Sequence, residues 1–141
     1  IAGVPIRQDL AMTGSVNQLG EMQAIGGVNE KIEGFFDVCA ARGLSGTQGV
    51  VIPASNVQHL MLKPEVVEAC RTGNFHVHAA SAVDDVIALL TGMPAGAMRE
   101  DGSFETDSVN ERVRARLHEL AEIGRKHSGS GDDKAAGNGK P

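Results

Sequence analysis

Residues 26–53 confine the chain more tightly than any other stretch. They run Gly26-Gly27, a helix-period segment from Val28 to Arg42, Gly43 at the position of a C-terminal cap, and then Gly49-Val50-Val51-Ile52-Pro53. At ~100° per residue, Val28, Ile32, Phe35, Phe36, Val38 and Cys39 share one face of the segment, and Glu30, Glu33 and Asp37 share the opposite one. Gly26-Gly27 leads into the helix, and Gly43 stands where a left-handed C-terminal cap favours glycine. The apolar run 49–53 is too short for a helix and reads as a buried strand ended by proline. With residues 8–16 as a strand before the helix, the unit is strand, helix, strand.

Lys31 falls inside the apolar arc of that helix. An ammonium there has three outcomes. It can snorkel, laying its methylenes on the core with its head in water; it can find a partner; or it can lose its proton, because burial disfavours the charged form. A neutral amine is a base, so Lys31 is the residue with the most to say about chemistry.

The remaining elements follow from punctuation. Residues 8–16 are short, apolar and β-branched, with Gly14 as a kink or bulge; a turn at 17–20 and a second strand at 21–25 complete a hairpin. Pro64 opens a helix to about Thr72, stopped by Gly73. Residues 75–79 alternate as a strand with one buried face. Ser81 and Asp84 have capping-box spacing ahead of Val83, Val86, Ile87, Leu89 and Leu90, with Gly92 as the stop. Ser108 and Glu111 repeat that signal ahead of Val109, Val113, Leu117, Leu120 and Ile123, an amphipathic helix that needs an apolar surface to lie on. The expected organisation is therefore a main domain at 1–95, a connector at 96–107, a C-terminal helix at 108–127, and a Gly-, Ser-, Asp- and Lys-containing tail at 128–141 without periodicity, expected to be disordered.

Composition narrows the function classes. With 141 residues, 41% of hydrophobic type, the chain can hold one domain with a modest core. Its 13 Lys and Arg are outnumbered by 18 Asp and Glu, and it has no Trp or Tyr. It thus lacks both the clustered positive charge and the stacking surfaces that nucleic acid requires. No apolar run approaches the ~20 residues that cross a bilayer, and no signal peptide opens the chain, so the expectation is a cytoplasmic protein with no membrane contact from this segment. Cys39 and Cys70 lack metal or redox spacing and read as reduced packing residues. His76 and His78 share one face of a strand and could grip a metal, but no third ligand lies near in sequence; His118 and His127 belong to the late helix and its end, where the sequence names no partner for them. Ser15, Ser45, Ser55 and Ser81 stand in turn or cap contexts. Gly26-Gly27 lacks the following Lys-Ser/Thr of a phosphate loop, so this segment is expected to bind no cofactor and no metal.

Thr13-Gly14-Ser15-Val16, then Gly20-Glu21, then Ile25-Gly26-Gly27-Val28-Asn29-Glu30-Lys31 closely resemble, in order and spacing, the proteolytic domain of Lon proteases. The likeness continues through Arg42-Gly43, Val51-Ile52-Pro53, Asn56, Phe75-His76-Val77-His78 and Asp85-Val86, over roughly residues 5–95, and the wording is most similar to the bacterial LonB-like branch. The resemblance implies an α+β fold, ribosomal protein S5 domain 2-like, with a mixed sheet packed by helices. It implies an ATP-dependent serine endopeptidase using a Ser-Lys dyad, with Lys31 as general base and Thr13 holding it. ATP and Mg would act at an upstream AAA+ module, the substrates would be damaged or regulatory proteins or peptides, and the assembly would be a homo-oligomer, a hexameric ring. The family's nucleophile lies before the Thr-Gly strand, so the serine is expected upstream of Ile1, and the chain alone is expected to hydrolyse nothing. Two rival readings are a non-catalytic Lon-like scaffold for ring assembly, which has no reason to keep Lys31 and Thr13, and an unrelated domain sharing the architecture by analogy.

Overall fold

A computed structural model describes residues 1–129. The chain divides into two compact units, one of residues 5–95 and the other of residues 1–4 with 96 onward.

In the unit 5–95, β1 (Leu10–Met12), β4 (Gly49–Pro53) and β5 (His76–Ala80) form a sheet in the order β1-β4-β5, both pairings parallel. Leu10 pairs with Gly49 and Gly49 with His76; Met12 pairs with Val51 and Val51 with His78. Parallel neighbours need a crossover, and the helices supply it: α1 (Val28–Arg42) lies between β1 and β4 in sequence, and α2 (Pro64–Arg71) between β4 and β5. Strand β2 (Ser15–Val16) pairs antiparallel with β3 (Met22–Gln23) as a separate hairpin. The three-stranded sheet is parallel, and the antiparallel hairpin is tied to the end of β5 by an antiparallel bridge between Glu21 and Ala82 and by the Met22 N–H donating to the Ser81 carbonyl at 2.8 Å. The break at Thr13-Gly14 ends β1 before the hairpin begins.

Central strand β4 is buried throughout, as parallel strands covered on both faces are. Alternation sends Val50 and Ile52 to one face, where they pack with Val28, Ile32 and Phe36 of α1, Val66 and Ala69 of α2, and Phe75. It sends Val51 to the other, with Leu10, Met22, Ala80 and Val86, the last from α3 (Val83–Thr91). Phe36 meets Phe75 edge-on at 5.2 Å, a favoured aromatic geometry. A 3-10 segment, Ala54–His59, follows β4 and has no signature in the hydrophobic pattern.

Two start signals resolve differently. Ser81 and Asp84 do not form the box; Asp85 does the capping, its carboxylate accepting from the Ser81 and Ala82 N–H groups at 2.9 and 3.0 Å. Those bonds hold the Asp85 carboxyl below the usual carboxylate range. In the second unit, Ser108 caps the helix as expected, while the Glu111 return bond falls one residue early. The Glu111 N–H donates to Ser108 Oγ at 3.2 Å, and the Asp107 N–H donates to the Glu111 carboxylate at 2.9 Å. The helix they open, α4, runs Val109–Gly129, and it leaves Leu117, Leu120 and Ile123 between 42% and 49% exposed. Apart from residues 128 and 129, the tail expected at 128–141 lies outside the described residues.

Candidate functional site

Thr13 sits where β1 gives out. Its N–H donates to the Val51 carbonyl at 3.0 Å, adding one rung beyond the β1–β4 ladder. Gly14 follows because nothing larger fits: a Cβ there would lie 2.6 Å from Met22 Cε and 3.2 Å from Pro53 Cγ. Thr13 is half-buried, and its hydroxyl has no hydrogen-bond partner among the described residues.

Lys31 closes the first turn of α1, its N–H donating to the Gly27 carbonyl at 3.1 Å. Gly27 adopts φ 68°, the left-handed conformation that a side chain resists. The approach to this helix is fixed from 31 residues away. Asn56, 3% exposed, donates its amide to the Ile25 carbonyl and accepts from the Ile25 N–H, both at 3.0 Å. Asn29 accepts from the Met61 N–H at 2.9 Å, and Glu33 accepts from the Lys63 N–H at 2.9 Å. The Lys63 ammonium also lies 3.5 Å from Glu33 and 3.6 Å from Asp37, which raises its pKa. The acidic face of the helix is thus stitched to the chain at 59–63.

The Lys31 side chain is exposed, and its amine has no hydrogen bond or ion pair among the described residues. The expected burial inside an apolar arc is therefore not supplied by residues 1–129. The buried set is Val28, Ile32, Phe36 and Cys39, a sector narrower than the one counted from the sequence. Val38, seven residues or two turns from Lys31 and so on the same side, is 50% exposed. Lys31 stands at the margin of the arc, and no hydrogen bond joins it to Thr13.

Of the other candidates, Cys39 and Cys70 are free thiols whose pKa values burial pushes up, which suits packing residues. His76 and His78 do share a face, their rings stacked 5.8 Å apart. The clamps made by Asn56, Asn29 and Glu33 escape spacing arguments, because each partner lies some thirty residues distant.

A parallel strand–helix–strand unit with a threonine at the end of its first strand and a lysine on its helix's first turn defines the class. The model of the Lon protease (S16) C-terminal proteolytic domain matches residues 1–92, Thr13 and Lys31 included, and the chain belongs to that family. It is 50% identical over 116 residues to a Lon protease homolog of Escherichia coli, covering 80% of this chain and 19% of that protein. It is 36% identical over 126 residues to a Lon protease homolog of Haemophilus influenzae, covering 89% and 21%. With an archaeal Lon protease of Thermococcus kodakarensis it shares 30% identity over 117 residues, covering 83% and 15%. The chain thus spans about a fifth of the length of the first two relatives.

Proposed function

We propose that this chain supplies the base half of a Ser-Lys peptidase site in an ATP-dependent Lon-type protease that degrades damaged or regulatory proteins. Lys31 is the general base, Thr13 directs its amine, and the nucleophilic serine comes from residues outside 1–141. The observation that carries this reading is the family match across both residues, joined to the way Lys31 is presented. The backbone on either side of it is clamped by Asn56, Asn29 and Glu33, while its own amine is left without a partner.

The chemistry sets a requirement. A serine hydroxyl is a weak nucleophile until an adjacent base takes its proton, and lysine serves only as the neutral amine. An exposed amine stays hydrated, so the proposal needs a further segment or a neighbouring copy to cover the start of α1 and exclude water from Lys31. Assembly as a homo-oligomeric, hexameric ring would also hide such a site from folded proteins. The ribosomal protein S5 domain 2-like topology, a cytoplasmic location, and ATP with Mg at an AAA+ module outside this segment belong to the same proposal. The residues around Gly26-Gly27 do not fit a nucleotide phosphate, so no step at Lys31 runs through ATP.

The test is made in the longer protein that contains the serine. Lys31→Met should abolish peptide hydrolysis and leave the assembled mass in sedimentation unchanged; substantial surviving hydrolysis would remove Lys31 from the mechanism.

A further inference from the structure

At the end of the sheet opposite Thr13, a second cluster of polar side chains surrounds a cavity of about 220 Å³ lined by Arg7, Gly46, Thr47, His76 and His78. The Arg7 guanidinium forks onto Asp9, Nε to Oδ1 at 3.0 Å and Nη2 to Oδ2 at 2.7 Å, and Nη2 also donates to the Thr47 carbonyl at 3.3 Å. That fork holds the Asp9 carboxyl down at about 2, so the one acid here is ionised and spoken for. The Arg7 Nη1 group keeps both its N–H donors without a partner among the described residues.

His76 and His78 stack on β5. His76 Nε2 lies 2.9 Å from the Gly46 carbonyl; a carbonyl only accepts, so that nitrogen carries the hydrogen. The sheet makes room for the pair at Gly49, the pairing partner of His76, where a Cβ would sit 3.0 Å from His76 Cβ and 2.6 Å from its carbonyl oxygen. Burial, then the charges of His76 and Arg7, push the His78 pKa below the usual imidazole value. The Arg7 guanidinium and the two imidazoles therefore line one cavity. Of the elements packed on β5, α2 carries Glu65, Glu68 and Arg71, α3 carries Asp84 and Asp85, and the 3-10 segment carries His59; none of these lines it.

We propose that this cavity is an oxyanion site, taking a phosphate-class group between the Arg7 guanidinium and the imidazoles of His76 and His78. An anion there meets free guanidinium donors and offsets the positive charge that bears on His78. A metal cation would meet Arg7, and the described residues gather no third ligand beside the two imidazoles. Affinity rises as the pH falls through the imidazole range, because protonated His78 adds a charge and a donor, and by linkage the bound anion raises the His78 pKa.

Histidine ring resonances of the 141-residue chain, followed by NMR from about pH 5 to about pH 8 in inorganic phosphate and in chloride of equal ionic strength, test this. The expected result is saturable shifts confined to His76 and His78, a higher His78 midpoint in phosphate than in chloride, and, with phosphate's own second ionisation allowed for, several-fold tighter phosphate binding at the acid end. Arg7→Lys, which keeps the charge and loses the fork, should weaken binding. Adenosine monophosphate run in parallel separates sources: tighter binding than inorganic phosphate marks the site as holding part of a larger ligand, and equal binding marks a site for the free anion. Unsaturable shifts spread equally over His59, His118 and His127 would reduce the site to an adventitious ion only. Saturable shifts of His76 and His78 with zinc but not phosphate would replace the proposal with a two-imidazole metal site.

Discussion

Helices α1 and α4 are both amphipathic in sequence, and the structure treats them in opposite ways. α1 sinks Val28, Ile32, Phe36 and Cys39 into a core shared with β4, α2 and Phe75, and long-range side-chain bonds hold its polar edge. α4 is longer, yet Leu117, Leu120 and Ile123 remain about half exposed, and what holds it gathers near its start: the Ser108 cap, buried Val109, and Asn110 and Arg114 donating to the Gly96 and Gly102 carbonyls. One helix is held along its whole length by tertiary burial and the other mainly at its start. Periodicity alone does not tell them apart, because it reports that a face is apolar and not what covers it.

Graded substitutions can break that contrast. Phe75→Ala removes a ring that is 0% exposed and packs on both Phe35 and Phe36; it should cost ~3–5 kcal/mol in chemical denaturation of the unit 5–95, the range for large core truncations. Asn56→Ala strips both bonds from the Ile25 peptide group and should cost ~1–3 kcal/mol, the penalty for stranding partly buried polar groups. In a longer, active protein the same change should depress peptide hydrolysis through a misplaced Lys31. Ser108→Ala should cost about 1 kcal/mol and appear as lost helical circular dichroism, because it removes the acceptor for the Glu111 N–H. Leu120→Ala should change stability by less than about 0.5 kcal/mol, as surface substitutions do. A Leu120 effect rivalling that of Phe75 would show that α4 is buried against something in solution, and the contrast would fail.

The strand–helix order was legible because apolar period, glycine and proline act locally: α1, β4, α2, β5, α3 and α4 all fall within a residue or two of where the punctuation puts them, and the 3-10 segment between β4 and α2 does not announce itself. The cap of α3 slipped by one position because Ser81-x-x-Asp84 and Ala82-x-x-Asp85 overlap in the chain, and only geometry chooses the carboxylate that faces the free N–H groups. Lys31 reads from its spacing as a lysine inside the apolar arc, with a head in water as one of its three outcomes, and the structure takes that outcome. A helical wheel cannot say where a core stops, and Val38 shows that this one stops short of that side. The parallel pairing and the Asn56 clamp depend on partners far along the chain, which no local spacing encodes.

The full burial of β4 has a consequence in time. Its backbone amides are shared between β1 and β5 and capped by apolar layers on both faces, so water reaches Val50 to Ile52 only when the unit comes apart. These should be the last amides to take up deuterium, exchanging at the rate set by global opening, long after the amides along α4 have done so through fraying. The middle of one five-residue strand then serves as a clock for the whole unit, against which the loosening produced by any ligand or neighbour can be read.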